Sequence, residues 1–202
     1  MYFAISFIIC FYTKLPRIQF FPRNLKRQRK GNVMKKLEED KNRYNVLKEM
    51  PKFQKYMRRG QEAKNPLCRL LYKTLFVYYR NKSLVEMPLD INIGGGLYLG
   101  HPYCITINPK VIIGKNCNIH KGVTIGQENR GKRKGAPIIG NEVWIGVNAT
   151  IVGAVHIGND VLIGPNTYIN CDIPDHSIVF GNPCVIKSKQ YATERYINNK
   201  AE

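Results

Sequence analysis

The 202-residue sequence predicts a mainly β protein, in which a parallel β-helix follows an α-helical N-terminal segment. The first observation is that aliphatic residues recur every six positions from residue 93 onward, apart from two longer gaps. A second apolar or small residue stands four positions after most of them. Because separations of four and six are both even, these side chains face one side of an extended chain. The six-residue series is Ile93, Leu99, Ile107, Ile113, Ile119, Ile125, Ile139, Ile145, Ile151, Ile157, Ile163 and Ile169.

The second observation is a glycine directly after the aliphatic residue in most hexads, at positions 94, 100, 114, 126, 140, 146, 158 and 164. A bend at each glycine would wrap successive strands around a shared core. A short fixed period of this kind is typical of a parallel β-helix. With three hexads to a coil, residues 86–187 are predicted to form about four coils, and residues 188–202 a C-terminal tail.

The chain before the repeats divides into an apolar-then-basic lead at residues 1–33 and a helical segment at residues 34–85. The clearest helix is predicted to begin at Asn65, a capping residue that is followed by proline at the first helical position. Apolar residues then recur at three- and four-residue spacings, which gives one apolar stripe. We expect this stripe to be core or a subunit contact; its members are Leu67, Leu70, Leu71, Leu75 and Tyr78.

Most of the positive charge lies before the repeats, since residues 1–90 hold 21 of the 32 Lys and Arg residues. The chain opens with the apolar run MYFAISFIICFY, which is shorter than the roughly 20 residues that a spanning helix needs. The basic run RNLKRQRK follows at residues 23–30. We expect either a peripheral membrane contact through residues 1–30 or packing of the apolar run on the domain or on another subunit. A nucleic-acid partner is not expected, because the repeats carry little of the charge.

The six cysteines form no CxxC pair, and Cys117 falls on a core position of the repeat. Their spacings match neither a disulfide framework nor a zinc site, so we expect buried thiols in a reducing cytosol. The predicted localisation is therefore cytoplasmic, with the membrane contact at the inner face of the membrane.

The stretch IGGGLYLGHPYCITINPKVIIGKNCNIHKGVTIG at residues 93–126, with GNPCVIK at 181–187, resembles the hexapeptide-repeat acyltransferases. Within that superfamily, residues 86–186 are most similar to the serine acetyltransferase branch. The resemblance implies a left-handed coil, a homotrimer with active sites between subunits, and acetyl-CoA as co-substrate. It leaves open whether two trimers pair through the helices. No metal is expected, since no pair of histidines five apart exists to form a zinc site.

The resemblance also assigns roles to individual residues. His101 matches the general base of the family, and Glu86, fifteen residues earlier, matches the carboxylate that orients the imidazole. The imidazole would take the proton of an acceptor hydroxyl, whose oxygen then attacks the thioester carbonyl. The coenzyme is expected along the coils, against Gly126, Gly146, Gly164, Asn182, Pro183 and Lys187.

Two departures from the serine branch concern the acceptor. That branch has an aspartate just before the histidine, where this chain has Gly100, and an Arg-His-Pro triplet where this chain has Gly135-Ala136-Pro137. Both charged anchors for free serine are absent, and each charge-assisted contact is worth about 1.5–3 kcal/mol. We therefore expect a sugar hydroxyl in surface polysaccharide synthesis, with serine acetylation as the alternative. A second alternative is a non-catalytic, membrane-docked trimeric scaffold.

Four residues are predicted to contact the acceptor: Gly100, Tyr103, His120 and Arg130. Arg130 belongs to the loop GQENRGKRKGAP, whose positive charges would hold coenzyme phosphates or an acidic saccharide, or would only be solvated. His120 is expected to project outward, toward the cleft with a neighbouring subunit. His156 and His176 are expected to be ordinary surface residues.

Overall fold

A computed structural model describes residues 35–44 and 49–201 of the chain. The apolar-then-basic lead at residues 1–33 and the membrane contact predicted for residues 1–30 lie outside the described residues. No helix in the described part of the chain is both long and apolar enough to span a membrane.

Among residues 35–44 and 49–201, three helices precede the strands: α1 (Lys35–Asn42), α2 (Lys52–Glu62) and α3 (Pro66–Lys82). The side chain of Asn65 accepts hydrogen bonds from the backbone N–H groups of Leu67 and Cys68, and Pro66 occupies the first turn of α3. These contacts satisfy donors that the first turn of a helix leaves without a partner. The predicted start of this helix is confirmed.

Within the described residues, fourteen short strands follow the helices. They are β1 (Asn92–Ile93), β2 (Tyr98–Gly100), β3 (Thr106–Ile107), β4 (Ile112–Ile113), β5 (Asn118–His120), β6 (Thr124–Gly126), β7 (Ile138–Ile139), β8 (Trp144–Ile145), β9 (Thr150–Val152), β10 (His156–Ile157), β11 (Val161–Ile163), β12 (Tyr168–Ile169), β13 (Ser177–Phe180) and β14 (Val185–Ser188).

The strands form three sheets, and every third strand up to β12 belongs to the same sheet. Sheet 1 has the order β1-β4-β7-β10, sheet 2 the order β2-β5-β8-β11-β13-β14, and sheet 3 the order β3-β6-β9-β12. All pairings are parallel except that of β13 with β14. The chain therefore passes through the three sheets in turn and completes a coil with every three strands. The mainly β prediction is confirmed.

The register of the sheets stacks the aliphatic residues of successive coils. Ile93 pairs with Ile113, which pairs with Ile139, and Ile139 pairs with Ile157. Every member of the six-residue series is at most 4% exposed, and the apolar or small residues that stand four positions after most of them are also buried. The prediction that both sets face one core is confirmed.

At the corner that follows sheet 1, steric crowding explains why glycine follows the aliphatic residue. A Cβ atom on Gly94 would lie 2.7 Å from the backbone of Gly114, and one on Gly114 would lie 2.5 Å from the carbonyl oxygen of Gly140. Such distances are shorter than van der Waals contact, so the coils stack this closely only without side chains at these positions.

The helices cover the first coil through buried polar side chains. Arg58 and Asp40 form an ion pair of 2.8 Å in which neither side chain is exposed. Arg58 also donates to the carbonyl oxygen of Ile93, and Gln54 donates to that of Leu97. The backbone groups at the open end of the coil thus find partners in the helices, which protects an edge that could otherwise pair with another chain.

The apolar stripe of α3 is not part of the chain's core. Leu67 is 76% exposed and Leu70 is 62% exposed, whereas Phe76 is buried. The helix turns the opposite face inward, and Tyr79 stacks on Tyr56 of α2 at 5.5 Å between ring centroids. The prediction that this stripe belongs to the core is wrong, because α3 buries the face that carries Phe76 instead. A contact between subunits stays a prediction.

The C-terminal tail packs on the coils through Asp160. The carboxylate of Asp160 accepts hydrogen bonds from the backbone N–H groups of Ala192 and Thr193 and from the Thr193 hydroxyl. His176 lies 2.9 Å from the same carboxylate through Nδ1. His176 therefore helps to hold the tail rather than being an ordinary surface residue.

Candidate active site

His101 lies in the turn between β2 and β3, at the corner that joins sheet 2 to sheet 3. The residue is exposed, and its φ of 54° belongs to the left-handed region that few residues other than glycine adopt. Gly146 and Gly164 directly follow β8 and β11 of sheet 2, so they lie at the same corner in later coils. The structure thus gathers the predicted base and two of the predicted coenzyme contacts along one corner.

Glu86 lies beside the strand to which that turn leads. It forms an isolated parallel bridge with Thr106 of β3, and its side chain is exposed between the buried residues Val85 and Met87. Among the described residues, no hydrogen bond joins the Glu86 carboxylate to His101. Both residues therefore flank the beginning of β3, and the role of Glu86 in orienting the imidazole stays a prediction.

A groove of about 450 Å³ runs past Glu86 on the outer side of sheet 3. Thr106, Asn108 and Gly126 contribute to its walls. Gly126 has room above it, since a Cβ there would meet nothing nearer than Val152 Cγ1 at 3.6 Å. The groove therefore brings a predicted coenzyme contact and the predicted orienting carboxylate into one recess.

A second recess, of about 250 Å³, lies on the outer side of sheet 2. His120, Trp144 and Tyr98 project into it from three adjacent strands, β5, β8 and β2. Arg43, from just beyond α1, and Tyr196, from the tail, form further walls, together with Asn118, Asn198 and Asn199. We call this recess the sheet 2 cavity.

His120 connects the sheet 2 cavity to the residue before His101. Gly100 and His120 are partners in the register of β2 and β5, and a Cβ on Gly100 would lie 2.5 Å from His120 Cδ2. The imidazole is half-buried, with Nδ1 2.9 Å from the carbonyl oxygen of Ile145 and its ring 4.5 Å from that of Trp144. His120 thus lines a cavity of its own chain, and the cleft with a neighbouring subunit stays a prediction.

The other two predicted acceptor contacts, Tyr103 and Arg130, are exposed. The loop that carries Arg130 is closed by mutual backbone hydrogen bonds between Glu128 and Gly135, and Glu128 also pairs with Arg133 at 3.6 Å. The loop is therefore a small hairpin on the coil rather than an open strand of chain. Its role in binding stays a prediction.

The last predicted coenzyme contacts lie at the end of the coils. The Asn182–Pro183 peptide bond is cis, in the turn between β13 and β14. Lys187 on β14 places its Nζ 5.5 Å from the centre of the Phe180 ring. These residues share a hairpin with each other but not the groove that Gly126 lines.

The prediction of buried thiols is right for Cys117 but wrong for Cys68, Cys104 and Cys171, which are exposed because they lie outside the core positions of the repeat. Burial raises the pKa of Cys117 to about 12, so its thiol is protonated at neutral pH. Cys171 and Cys184 lie 3.8 Å apart as free thiols, and burial raises the pKa of Cys184. Across residues 35–44 and 49–201, no cluster of three or more His, Cys, Asp or Glu side chains converges on a point that could hold a metal ion.

Sequence reasoning missed Arg43, Asn118, Trp144 and Tyr196. Arg43 and Tyr196 come from segments more than 150 residues apart, and no periodic pattern brings them to the strands. The one available signal was Trp144, the only tryptophan, which stands at an outward-facing position of a hexad.

The chain is similar to known acetyltransferases. The family model described as bacterial transferase hexapeptide (six repeats) matches residues 136–171. A serine acetyltransferase from Helicobacter pylori is 35% identical over 98 residues, which cover 48% of this chain and 57% of that protein. The acetyltransferase WcaB of Escherichia coli, assigned to colanic acid biosynthesis, is 36% identical over 129 residues, covering 61% of this chain and 78% of WcaB.

The solved structures include a soybean serine acetyltransferase complexed with serine. It is 26% identical with a TM-score of 0.57, and the match covers 67% of this chain and 56% of the soybean chain. The chain therefore spans little more than half the length of the Helicobacter pylori and soybean serine acetyltransferases, but most of the length of WcaB.

Proposed function

The chain belongs to the hexapeptide-repeat acyltransferases, and from this we propose that it moves an acetyl group from acetyl-CoA to a hydroxyl of a saccharide in surface polysaccharide synthesis. We further propose that the three-sheet coil is left-handed and that the protein assembles as a homotrimer with its active sites between subunits. The proposed setting is the cytoplasm, at the inner face of the membrane.

The proposed acceptor rests on one observation. Where the serine branch has an aspartate, this chain has Gly100, and the ring of His120 occupies the space that the aspartate side chain would need. Gly100 leaves no room for a side chain, because a Cβ there would meet the imidazole of His120 at 2.5 Å. The second anchor of that branch is replaced by the uncharged Gly135 and Ala136. A sugar hydroxyl needs neither anchor, whereas zwitterionic serine would lose a charge-assisted contact at each.

In the proposed reaction, His101 acts as the general base. Its exposed imidazole takes the proton of the acceptor hydroxyl, and the oxygen forms a bond to the thioester carbonyl carbon. As the tetrahedral intermediate collapses, the carbon–sulfur bond breaks, and the departing sulfur of coenzyme A takes the proton from the imidazolium. A carboxylate at Glu86 would stabilise the imidazolium and fix its tautomer.

We propose that the donor lies along the corner of His101, Gly146 and Gly164 and in the groove that Gly126 and Glu86 line. Acetyl-CoA supplies the activated acetyl group, and the chain supplies a surface without protruding side chains at these glycines. Asn182, Pro183 and Lys187 would bind the coenzyme farther along the coils, and Arg130 would bind it or the acceptor.

Serine acetylation is the second candidate, and a specific observation favours it. The Helicobacter pylori relative and the soybean structure are both serine acetyltransferases. The non-catalytic scaffold is a weaker candidate, because a scaffold has no use for the residues that match the base and its carboxylate.

The test is release of free coenzyme A thiol from acetyl-CoA by the purified full-length protein, with serine in one assay and a panel of sugars and polysaccharide fragments in another. We expect release with saccharide and not with serine, and a loss of about 10²–10⁴-fold in rate for His101→Ala. Release with serine alone would establish the second candidate. Release in neither assay, or an unchanged rate for His101→Ala, would contradict His101-dependent acetyl transfer.

A further inference from the structure

The sheet 2 cavity contains a buried cation that no carboxylate neutralises. Arg43 is 6% exposed, and its Nη1 and Nη2 donate to the carbonyl oxygen of Asn198 and to Oδ1 of Asn118, which are both uncharged. Its Nε is buried and has no hydrogen-bond partner. In the part of the chain that the structure describes, no Asp or Glu lies within ion-pair distance of Arg43. A guanidinium in this position favours an anion beside it.

The nearest acidic residue on α1 is already neutralised. Asp40 pairs with Arg58 at 2.8 Å and accepts from Gln54 and the backbone N–H of Leu97, so its charge serves another network. Burial lowers the pKa of the Arg43 guanidinium below its ordinary value. The charge of Asp40 acts in the opposite direction and raises this pKa, but the effect of burial is larger.

The remaining walls are aromatic and amide groups. The ring of Trp144 lies 4.5 Å from that of His120 and 5.3 Å from that of Tyr196. Ligand sites typically combine apolar aromatic surfaces with a few placed polar groups, and such sites for drug-sized molecules occupy about 300–1,000 Å³. A cavity of about 250 Å³ is suited to a single ring.

The cavity also adjoins the proposed reaction centre. Gly100, which ends β2, is followed directly by His101, and the ring of His120 stands over Gly100. The His120 ring, which lines the cavity, therefore lies beside the residue that directly precedes His101.

We propose that the sheet 2 cavity binds a carboxylate-bearing sugar ring of the acceptor saccharide, with its carboxylate at Arg43 and its ring against Trp144 and Tyr196. This assignment rests on the proposed acetyl transfer to a saccharide and narrows the acceptor to an acidic one. The cavity would fix the position of the ring, and a hydroxyl of that ring or of its neighbour would be presented to His101.

The cavity contains its own reporter, because Trp144 is the only tryptophan of the chain. We would titrate the full-length protein with glucuronate, with glucose and with inorganic phosphate, and follow the tryptophan emission. We expect a saturable change with glucuronate and at least tenfold weaker binding of both glucose and phosphate. Equal binding of glucose, equal binding of phosphate, or no saturable change with glucuronate would overturn the assignment.

Two variants test the role of the charge. Arg43→Gln removes the cation and keeps an amide donor, and Asn118→Asp places a carboxylate beside it in a side chain of the same shape. We expect each variant that keeps the wild-type circular dichroism spectrum to bind glucuronate at least tenfold more weakly. Arg69→Gln is the matched control, since Arg69 is exposed and pairs with Asp90 away from the cavity. Wild-type affinity in a folded Arg43→Gln or Asn118→Asp protein would overturn the assignment.

The two proposals can fail separately. If glucuronate binds through Arg43 but no saccharide supports release of coenzyme A, the binding of an acidic sugar in the cavity is supported and the proposed acetyl transfer is contradicted. If Arg43→Gln acetylates neutral and acidic saccharides at the wild-type rate, the proposed acetyl transfer is supported and the role of the cavity in binding the acceptor is contradicted.

Discussion

Gly100 is the residue at which this chain differs most informatively from the serine acetyltransferases that it resembles. The position is buried, and the imidazole of His120 occupies the space that a side chain would need. The arrangement depends on both residues, because Gly100 has no side chain and the imidazole of His120 occupies the space that this leaves.

A methyl group at this position should strain the protein through His120. We expect Gly100→Ala to lower the free energy of unfolding by about 1–3 kcal/mol, because the new Cβ overlaps the imidazole. Urea unfolding measures the loss. In the double variant Gly100→Ala/His120→Ala the overlap is gone, so the combined loss should be smaller than the sum of the two single losses. Additive losses would contradict the contact.

Asp160 is the residue through which stability should depend on pH. Burial alone would raise the pKa of Asp160, but hydrogen bonds from Thr193, His176 and the backbone of Ala192 outweigh it and hold the pKa below its ordinary value. A carboxyl whose pKa is lowered on folding stabilises the protein above its unfolded pKa, near 3.9. That contribution is lost as the pH falls through the folded value.

We therefore expect Asp160→Asn to lose about 1–3 kcal/mol of unfolding free energy at neutral pH. The difference from the wild type should shrink below about pH 4, as the wild-type carboxyl becomes protonated. Urea unfolding across this range checks both statements. Asp90→Asn is the control, since the pair of Asp90 with Arg69 is exposed and should contribute about 0–1 kcal/mol. A difference that does not change with pH would contradict the role of the Asp160 charge.

Among the individual site residues, those that belong to the repeat could be placed from the sequence and the others could not. His101 and Gly146 were expected along the coils, and the structure gathers them at one corner. Arg43 and Tyr196 reach the same strands from a helix end and a tail, through tertiary packing that no local pattern encodes. The outward projection of His120 follows from the repeat, whereas its contacts with Trp144 and Ile145, which hold the ring over Gly100, come from packing across strands.

At the scale of elements, the coils are specified by the glycines at their corners as much as by the aliphatic core. The backbone of Gly140 lies where a side chain on Gly114 would extend. Any side chain there must push two coils apart, which would disturb the stacked pairs of sheet 1.

Overpacking against movable side chains usually lowers the free energy of unfolding by about 1–3 kcal/mol. We expect a larger loss for Gly114→Ala. The obstacle at 2.5 Å is backbone, which cannot rotate away. Gly126→Ala is the matched control, because its Cβ would meet only Val152 at 3.6 Å. Thermal unfolding of the two variants compares them directly. A loss for Gly126→Ala as large as that for Gly114→Ala would contradict the steric account.

The elements of the repeat were predictable because the hexad period fixes which side chains face the core. The start of α3 was predictable from Asn65 and Pro66 for a similar reason, since capping is local chemistry. The exposure of Leu67 and Leu70 was not predictable, because the helix has two apolar faces and packing against α2 selects the one with Phe76. The antiparallel pairing of β14 also departs from the hexad pattern.

For the whole molecule, the proposed active sites lie between subunits, so the assembly should be larger than one chain. We expect light scattering after gel filtration to give three times the chain mass of 23.2 kDa, or six times if trimers pair. The exposed stripe of α3 offers apolar surface for such a contact. A monomer that retains full activity would contradict the proposed site between subunits.

The most direct test of the account is a competition for a labelled acetyl group. The full-length protein would receive acetyl-CoA with an isotopic label in the acetyl group, together with equal concentrations of serine and an acidic oligosaccharide. Mass spectrometry would then locate the label. We predict that the label enters the oligosaccharide through an ester and that His101→Ala slows the transfer by about 10²–10⁴-fold. Label recovered in O-acetylserine, or transfer by His101→Ala at the wild-type rate, would contradict the proposed function.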